Sequence, residues 1–224
     1  MFSASSPLRP ENLNLMILVV VAVSGAGWSS AYLLIIRRTH LDRVPGMPLF
    51  SLCFNTMWEI IFSVLPTYAG PALWMIRGWA LLDLLMFAQG LLYGRAALRW
   101  RLSPAAFYSA MSSVFLGCGL LILWTTLKLG DHRGILSAFC DNIVMSLLFI
   151  LMLRRRGSSQ GQSLWIGIAK LIGTLAQSVL FLTRYPDAWV LWLLCSVILG
   201  LDAAYLLLLR RQLQREGIRA WRRW

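Results

Sequence analysis

Asn55-Thr56-Met57-Trp58-Glu59 stands about eleven residues into the apolar run from Pro48 to Leu65. At ~1.5 Å of rise per residue, Glu59 lies roughly 16 Å along a helix. That is near the centre of a bilayer whose hydrocarbon core is about 30 Å thick. A carboxylate there costs at least about 2.5 kcal/mol, so an acid in a span faces protein or a water-filled cavity and signals function. Asn55, Thr56, Phe62 and Ser63 fall three or four residues either side of Glu59 and share its helical face. A face of this kind does not sit against lipid.

The rest of the chain agrees with a membrane reading. Of 224 residues, 58% are hydrophobic and 13% charged, with a mean hydropathy of +0.68. That balance is polytopic membrane protein, all-α, with no length left over for a soluble domain. Seven apolar runs, at 15–36, 48–65, 77–93, 104–127, 134–153, 163–183 and 188–209, are each expected to span as a helix. Residues 1–224 thus read as one seven-helix membrane domain. The net charge of +12 raises the question of a nucleic-acid partner. The arginines sit at the ends of the runs, where they orient helices and meet anionic headgroups, so the lipid bilayer is the partner and nucleic acid is not.

Loop charge sets the orientation. Segments 37–47, 94–103, 154–162 and 210–224 hold fifteen Lys and Arg, against five in 1–14, 66–77, 128–133 and 184–187. The positive-inside rule then places the N-terminus outside and the C-terminus in the cytoplasm. The N-terminus does not read as a signal peptide, since its first apolar run is long enough to span. Trp74, Trp79, Trp100, Trp189 and Trp192 fall at run ends and read as interfacial anchors, while Trp28 and Trp58 sit deeper. Cys53, Cys118, Cys140 and Cys195 lie within apolar runs without metal-ligand spacing and read as small core hydrophobes. The arginine-rich tail from Arg210 to Trp224 reads as a topology anchor.

Five ionisable residues stand inside the runs: Glu59, Asp83, Asp141, Lys170 and Asp202. Depths of roughly 10–21 Å from the cytoplasmic ends put them in one central slab. Four acids and one base cannot all be charged there cheaply. At least one acid stays protonated near neutral pH, and a protonated acid in a water-poor pocket is a proton donor awaiting a weak base. Lys170 and Asp202 also read as an interhelical pair, and Asp83 and Asp141 as packing polar groups; all but Asp202 are candidates for polar support. Asn55 stands one turn from Glu59, placed to hold its carbonyl oxygen.

No DDxxD or similar cluster for Mg²⁺ and diphosphate occurs, and no DxDD, HExxH, GxSxG or glycine-rich phosphate loop. The expected chemistry needs no metal and no cofactor and starts with a proton. Aromatic faces stabilise a passing carbocation by about 0.5–2 kcal/mol each, and the pocket must exclude water that would quench it. Trp28, Tyr32, Trp58, Phe62, Phe87, Tyr108, Phe115, Phe181 and Tyr205 are the candidates for its walls.

Three stretches resemble a known family, the small seven-helix membrane terpene cyclases of fungal meroterpenoid and indole-diterpene pathways, which have bacterial relatives. The first is Gly46-Met47-Pro48 leading to Asn55, Trp58 and Glu59. The second runs from Gly157-Ser158-Ser159 through Ser163 and Trp165 to Lys170-Leu171-Ile172-Gly173-Thr174. The third is Asp202, followed by Tyr205 and the basic tail. The resemblance implies Glu59 and Asp202 as catalytic acids. It also implies protonation of a terminal alkene or epoxide of a lipophilic prenylated substrate, then ring closure through a cation. An upstream prenyltransferase or epoxidase would supply such a substrate. The chain departs from the family at position 170, with Lys where Arg is usual. Asp83 and Asp141 match no family motif.

Two other classes stay open at this stage. A small transporter, proton relay or non-catalytic relative would also carry acids in its spans, although no internal repeat is visible. A retinal receptor needs a buried Lys in its last helix, where this chain has Asp202. The membrane is expected to be a bacterial inner membrane, or the endoplasmic reticulum membrane if the source is a fungus.

Overall fold

A computed structural model describes residues 10–98 and 102–224, with side chains from Leu15 onward. Among them every long element is a helix: α1 (Pro10–Asp42), α2 (Leu49–Val64), α3 (Gly70–Ala97), α4 (Pro104–Lys128), α5 (Ile135–Arg156), α6 (Leu164–Arg184) and α7 (Trp189–Arg215). Six are long and apolar enough to cross a membrane. The exception is α2, with 16 residues, or ~24 Å of rise.

Local chemistry sets the helix ends. Ser103 caps α4 by accepting from Ala106 N at 3.2 Å, with Pro104 at the first position where a missing N–H costs nothing. Ser163 caps α6 through Trp165 N at 3.1 Å. The start of α5 is held from a distance, since both Asp131 carboxyl oxygens accept from Leu136 N and Ser137 N at 3.1 and 2.8 Å. Gly134 turns the chain into α5 at φ 61°, a conformation glycine adopts without strain.

The third helix differs from the expected one. It begins at Gly70, seven residues before the run at 77–93. Arg77 interrupts the apolar pattern but not the backbone: its guanidinium lies 5.1 Å from the Trp74 ring and donates to Ser63 O at 3.3 Å. The side chain reaches sideways along the helix surface. Trp79 is consequently more than two turns inside α3, buried and donating to Ser29 Oγ at 3.0 Å, and is not an interfacial anchor. Trp74, Trp189 and Trp192 are exposed. Trp100 lies outside the described residues. The shortest of the seven α-helices is α2.

Helix packing defines a ring and two outer helices. α1 packs on α3 and α6, α2 packs on α3 and α5, and α7 bridges α5 and α6 from outside. α4 covers α2, with a smaller contact to α3. α1 and α6 approach closely enough for their backbones to touch. A Cβ on Gly27 would stand 2.6 Å from Gly173 N, and a Cβ on Gly173 would stand 2.7 Å from Trp28 Cδ1. These two glycines let the backbones meet, as small residues do between membrane helices.

The chain's C-terminus folds back over one end of the ring. Arg223 donates to Asp42 Oδ2 at 2.8 Å and to the carbonyls of Ser159 and Gln162, both at 2.9 Å. Glu216 accepts from Ser159 N at 2.7 Å and from the Ser159 hydroxyl. The Trp224 ring lies under Arg37 at 4.0 Å. The tail therefore clasps the end of α1 and the α5–α6 loop and does not lie out as a free surface helix.

A cavity walled by five helices and one paired acid

A cavity of about 200 Å³ opens inside the ring formed by α1, α2, α3, α5 and α6. Trp28 and Tyr32 contribute from α1, Asn55, Trp58 and Glu59 from α2, and Met75 and Trp79 from α3. The far wall is Phe139, Asp141, Asn142 and Met145 of α5 with Thr174, Gln177 and Phe181 of α6. From the acids the cavity runs toward the helix ends near Tyr68, Gly134 and Phe181, the end opposite the C-terminal clasp. Tyr68 donates to Arg133 O at 2.6 Å, tying the two loops at that end together.

Glu59 is only 2% exposed. Its Oε1 accepts from the Tyr32 hydroxyl at 2.8 Å and from Asn55 Nδ2 at 3.4 Å, while Oε2 has no protein partner. The same Asn55 nitrogen is 2.6 Å from Tyr32 Oη and 2.6 Å from Asp83 Oδ2. Asp83 is fully buried on α3, behind the wall and within hydrogen-bonding reach of Glu59. One amide thus joins two acids and a phenol from three helices. Both donors meet Oε1, and Oε2 accepts from none.

Trp58 does not stack on the acid. Its Nε1 donates to Gly134 O at 3.1 Å and to Ser137 Oγ at 3.2 Å, pinning the ring between α2 and the start of α5. Gly134 has a second constraint here, because a Cβ would stand 2.4 Å from the Phe62 ring. Phe62 is completely buried under Trp58 and Tyr68 and lies behind the cavity wall.

Asp202 lies elsewhere. Lys170 Nζ is 2.7 and 2.9 Å from its two carboxyl oxygens, and the Ser146 hydroxyl donates to it at 2.7 Å. The group bridges α5, α6 and α7 and does not line the cavity. The reason is architectural: α7 packs outside the ring. Lys170 reaches back toward the cavity, with Nζ 5.7 Å from the Trp28 ring.

Among the residues expected on the walls, Asn55, Trp58, Trp28, Tyr32 and Phe181 line the cavity. Phe87 packs on Phe115 at 4.8 Å, Tyr108 is 48% exposed on α4, and Tyr205 is buried against Phe149 on α7. None of these three, nor Phe115, is on the wall. Trp79, expected as an interfacial anchor, is on the wall, as are Phe139, Met75, Asn142 and Gln177. Asp141, expected as polar support, is on the wall itself, 4% exposed, with Oδ1 lacking any hydrogen-bond partner.

Spanning-length helices around an aromatic cavity with a buried, donor-held acid define an integral membrane protein built to keep an acid in apolar surroundings. The chain belongs to the Pyr4-like transmembrane terpene cyclases, whose family model matches residues 2–214. It is 28% identical over 172 residues to the Pyr4-family terpene cyclase mfmH of Annulohypoxylon moriforme, covering 74% of this chain and 70% of that protein. Terpene cyclase macJ of Penicillium terrestre is 26% identical over 174 residues, covering 73% and 65%. Terpene cyclase ausL of Aspergillus calidoustus is 28% identical over 217 residues, covering 89% and 85%. No solved structure matches the chain.

Proposed function

We propose that this membrane terpene cyclase starts its reaction by general acid catalysis, with Glu59 giving its proton to the terminal alkene or epoxide of a prenylated substrate. The observation that carries the reading is the division of labour on one carboxyl. Oε1 is held by Tyr32 and Asn55, Oε2 meets no donor, and Glu59 is part of the cavity lining. Protonation forms a C–H bond, or opens a C–O bond, and leaves a tertiary cation. The rings of Trp28, Trp58, Trp79 and Phe181 face that charge. Attack by the next alkene closes the ring. The substrate keeps its atoms apart from protons, which makes the enzyme an isomerase or lyase and sets it apart from diphosphate-ionising cyclases.

Asp83 shares the Asn55 amide with Glu59 and serves as its buried partner. Asp202 acts from behind, as a positioning residue: with Ser146 it holds Lys170 against the Trp28 wall. A prenyl chain partitions into the bilayer, so the substrate reaches the ring from lipid. The whole chain works as one seven-helix domain, with the short α2 crossing among longer neighbours. Charge asymmetry supports an outside N-terminus and a cytoplasmic C-terminal clasp. The similar proteins compared are fungal and lend no support to a bacterial inner membrane. A prenyltransferase or epoxidase upstream would supply the substrate.

Glu59→Gln keeps the size and hydrogen bonding of the side chain and removes the transferable proton. Turnover of a farnesylated phenol, offered as terminal alkene and as terminal epoxide, should fall about 10²–10⁴-fold, with the protein still folded in detergent. A variant as active as the parent would remove Glu59 from the role.

A further inference from the structure

We propose that Asp141 is the catalytic base that ends the reaction, taking the proton that the final cation sheds to become an alkene. The inference rests on the cyclase reading above and assigns the second half of the chemistry to the opposite wall of the same cavity.

The observations come from α5. Asp141 is buried, lines the cavity, and its Oδ1 meets no donor in the protein. A carboxyl that served packing would be expected to have donors, as Asp202 has from Lys170 and Ser146 and as Asp131 has from two backbone N–H groups. The neighbouring Asn142 spends its amide nitrogen on Thr174 Oγ1 at 3.0 Å, which leaves Asn142 Oδ1 without a partner as well. Two consecutive residues of the α5 wall thus each carry an oxygen that meets no donor. Glu59 stands on α2, held by Tyr32 and Asn55. The two walls are unlike: two donors hold Glu59 through one oxygen, and Asp141 Oδ1 meets none.

That asymmetry suits a cation that moves. Protonation at the Glu59 wall creates positive charge at the terminal carbon. Ring closure then carries the charge along the substrate, away from the site of protonation. When it arrives near α5, a C–H bond next to the cationic carbon breaks and its electron pair forms the product C=C. The proton passes to a carboxylate oxygen of Asp141. Lys170, which pairs with Asp202, also lies within electrostatic reach of Asp141. The turnover ends with Glu59 ionised and Asp141 protonated. Both line one cavity, and water entering after product release returns the proton to Glu59, so no outside acid or base is consumed.

The test compares products as well as rates, using the same farnesylated phenol in alkene and epoxide forms with membranes holding the full chain. Asp141→Asn removes the base and keeps the shape. It should still consume substrate, because Glu59 is intact, but the parent alkene should fall at least tenfold. Water-quenched alcohols or alkenes with a shifted double bond should replace it. Asp141→Glu restores a carboxylate one methylene further out, so alkene termination should return with an altered ratio of double-bond isomers. Parent product at parent rate from Asp141→Asn would overturn the inference, as would loss of all substrate consumption from folded Asp141→Asn, which would make Asp141 the donor. If Asp141→Asn does not fold, Asp141→Glu decides alone, and an unchanged isomer ratio would overturn the inference. No turnover of either probe by the parent protein would overturn the proposed substrate class, and this inference with it.

Discussion

At the scale of single residues, the cavity is a study in which polar atoms are satisfied and which are left over. Tyr32 sits at the centre, since its hydroxyl receives from Asn55 and donates to Glu59. Tyr32→Phe removes that donor without opening a void. A hydrogen bond of this kind is worth about 1 kcal/mol net, so turnover should drop roughly fivefold with the fold intact, read by product formation and by the unfolding midpoint in detergent. The Lys170–Asp202 pair behaves differently. Breaking a buried pair by removing one partner costs about 3–5 kcal/mol. Lys170→Met alone should lower the midpoint sharply. Lys170→Met combined with Asp202→Leu should regain most of the stability while leaving turnover low, which separates positioning from mere support. Residue chemistry was partly legible in the sequence. The depth of Glu59 and its spacing from Asn55 follow from helical period alone. The placement of Asp202 does not, because depth along a helix says nothing about whether that helix stands in the ring or behind it. Aromatic identity fails for the same reason: Phe87, Tyr108 and Tyr205 differ from Trp28 and Tyr32 only in what they face.

At the scale of elements, hydropathy located all seven helices, and the capping residues Ser103 and Ser163 mark two starts to within a residue. The start of α3 was hidden because a single Arg broke the apolar pattern while the helix continued beneath it. That one interruption moved Trp79 from the membrane surface to the cavity wall. The α1–α6 crossing was not legible either, since Gly27 and Gly173 look like any other glycines in a span. Gly27→Ala should force the two backbones apart and cost about 1–3 kcal/mol, seen as a lower unfolding midpoint. Gly78→Ala, on α3 with nothing within 4 Å of the new methyl, should be neutral or stabilising by about 0.5–1 kcal/mol. Gly173→Ala should also push Trp28 and change the product ratio. A Gly27→Ala protein as stable as the parent would show that the helices are not held by this contact.

At the scale of the whole molecule, one end of the ring is closed by the chain's own terminus and the other holds the cavity. Burial alone would push the Glu216 carboxyl up, but bonds from Ser159 and Gln212 and the nearby Arg223 hold it below its ordinary value. The clasp is therefore complete at neutral pH and loosens as pH falls through the depressed carboxylate range. Arg223→Ala removes donors to Asp42, Ser159 and Gln162 together. Limited proteolysis should then cut the 157–163 loop faster than in the parent, while the Glu59 hydrogen bonds at the other end are untouched. A reporter fused after Trp224 should read cytoplasmic, and a signal on the far side would reverse the proposed orientation.

The cavity is walled by helices of a membrane protein, and under the proposed function its occupants are drawn from a two-dimensional solvent. What the enzyme senses is the mole fraction of substrate in the surrounding lipid or micelle, not its amount per volume of buffer. Adding empty detergent micelles at constant total substrate should therefore slow the reaction, although nothing inhibitory has been added. Plain dilution with buffer, above the critical micelle concentration, should leave the rate per enzyme unchanged. Surface dilution of this kind makes the lipid that co-purifies with the protein a kinetic variable in its own right.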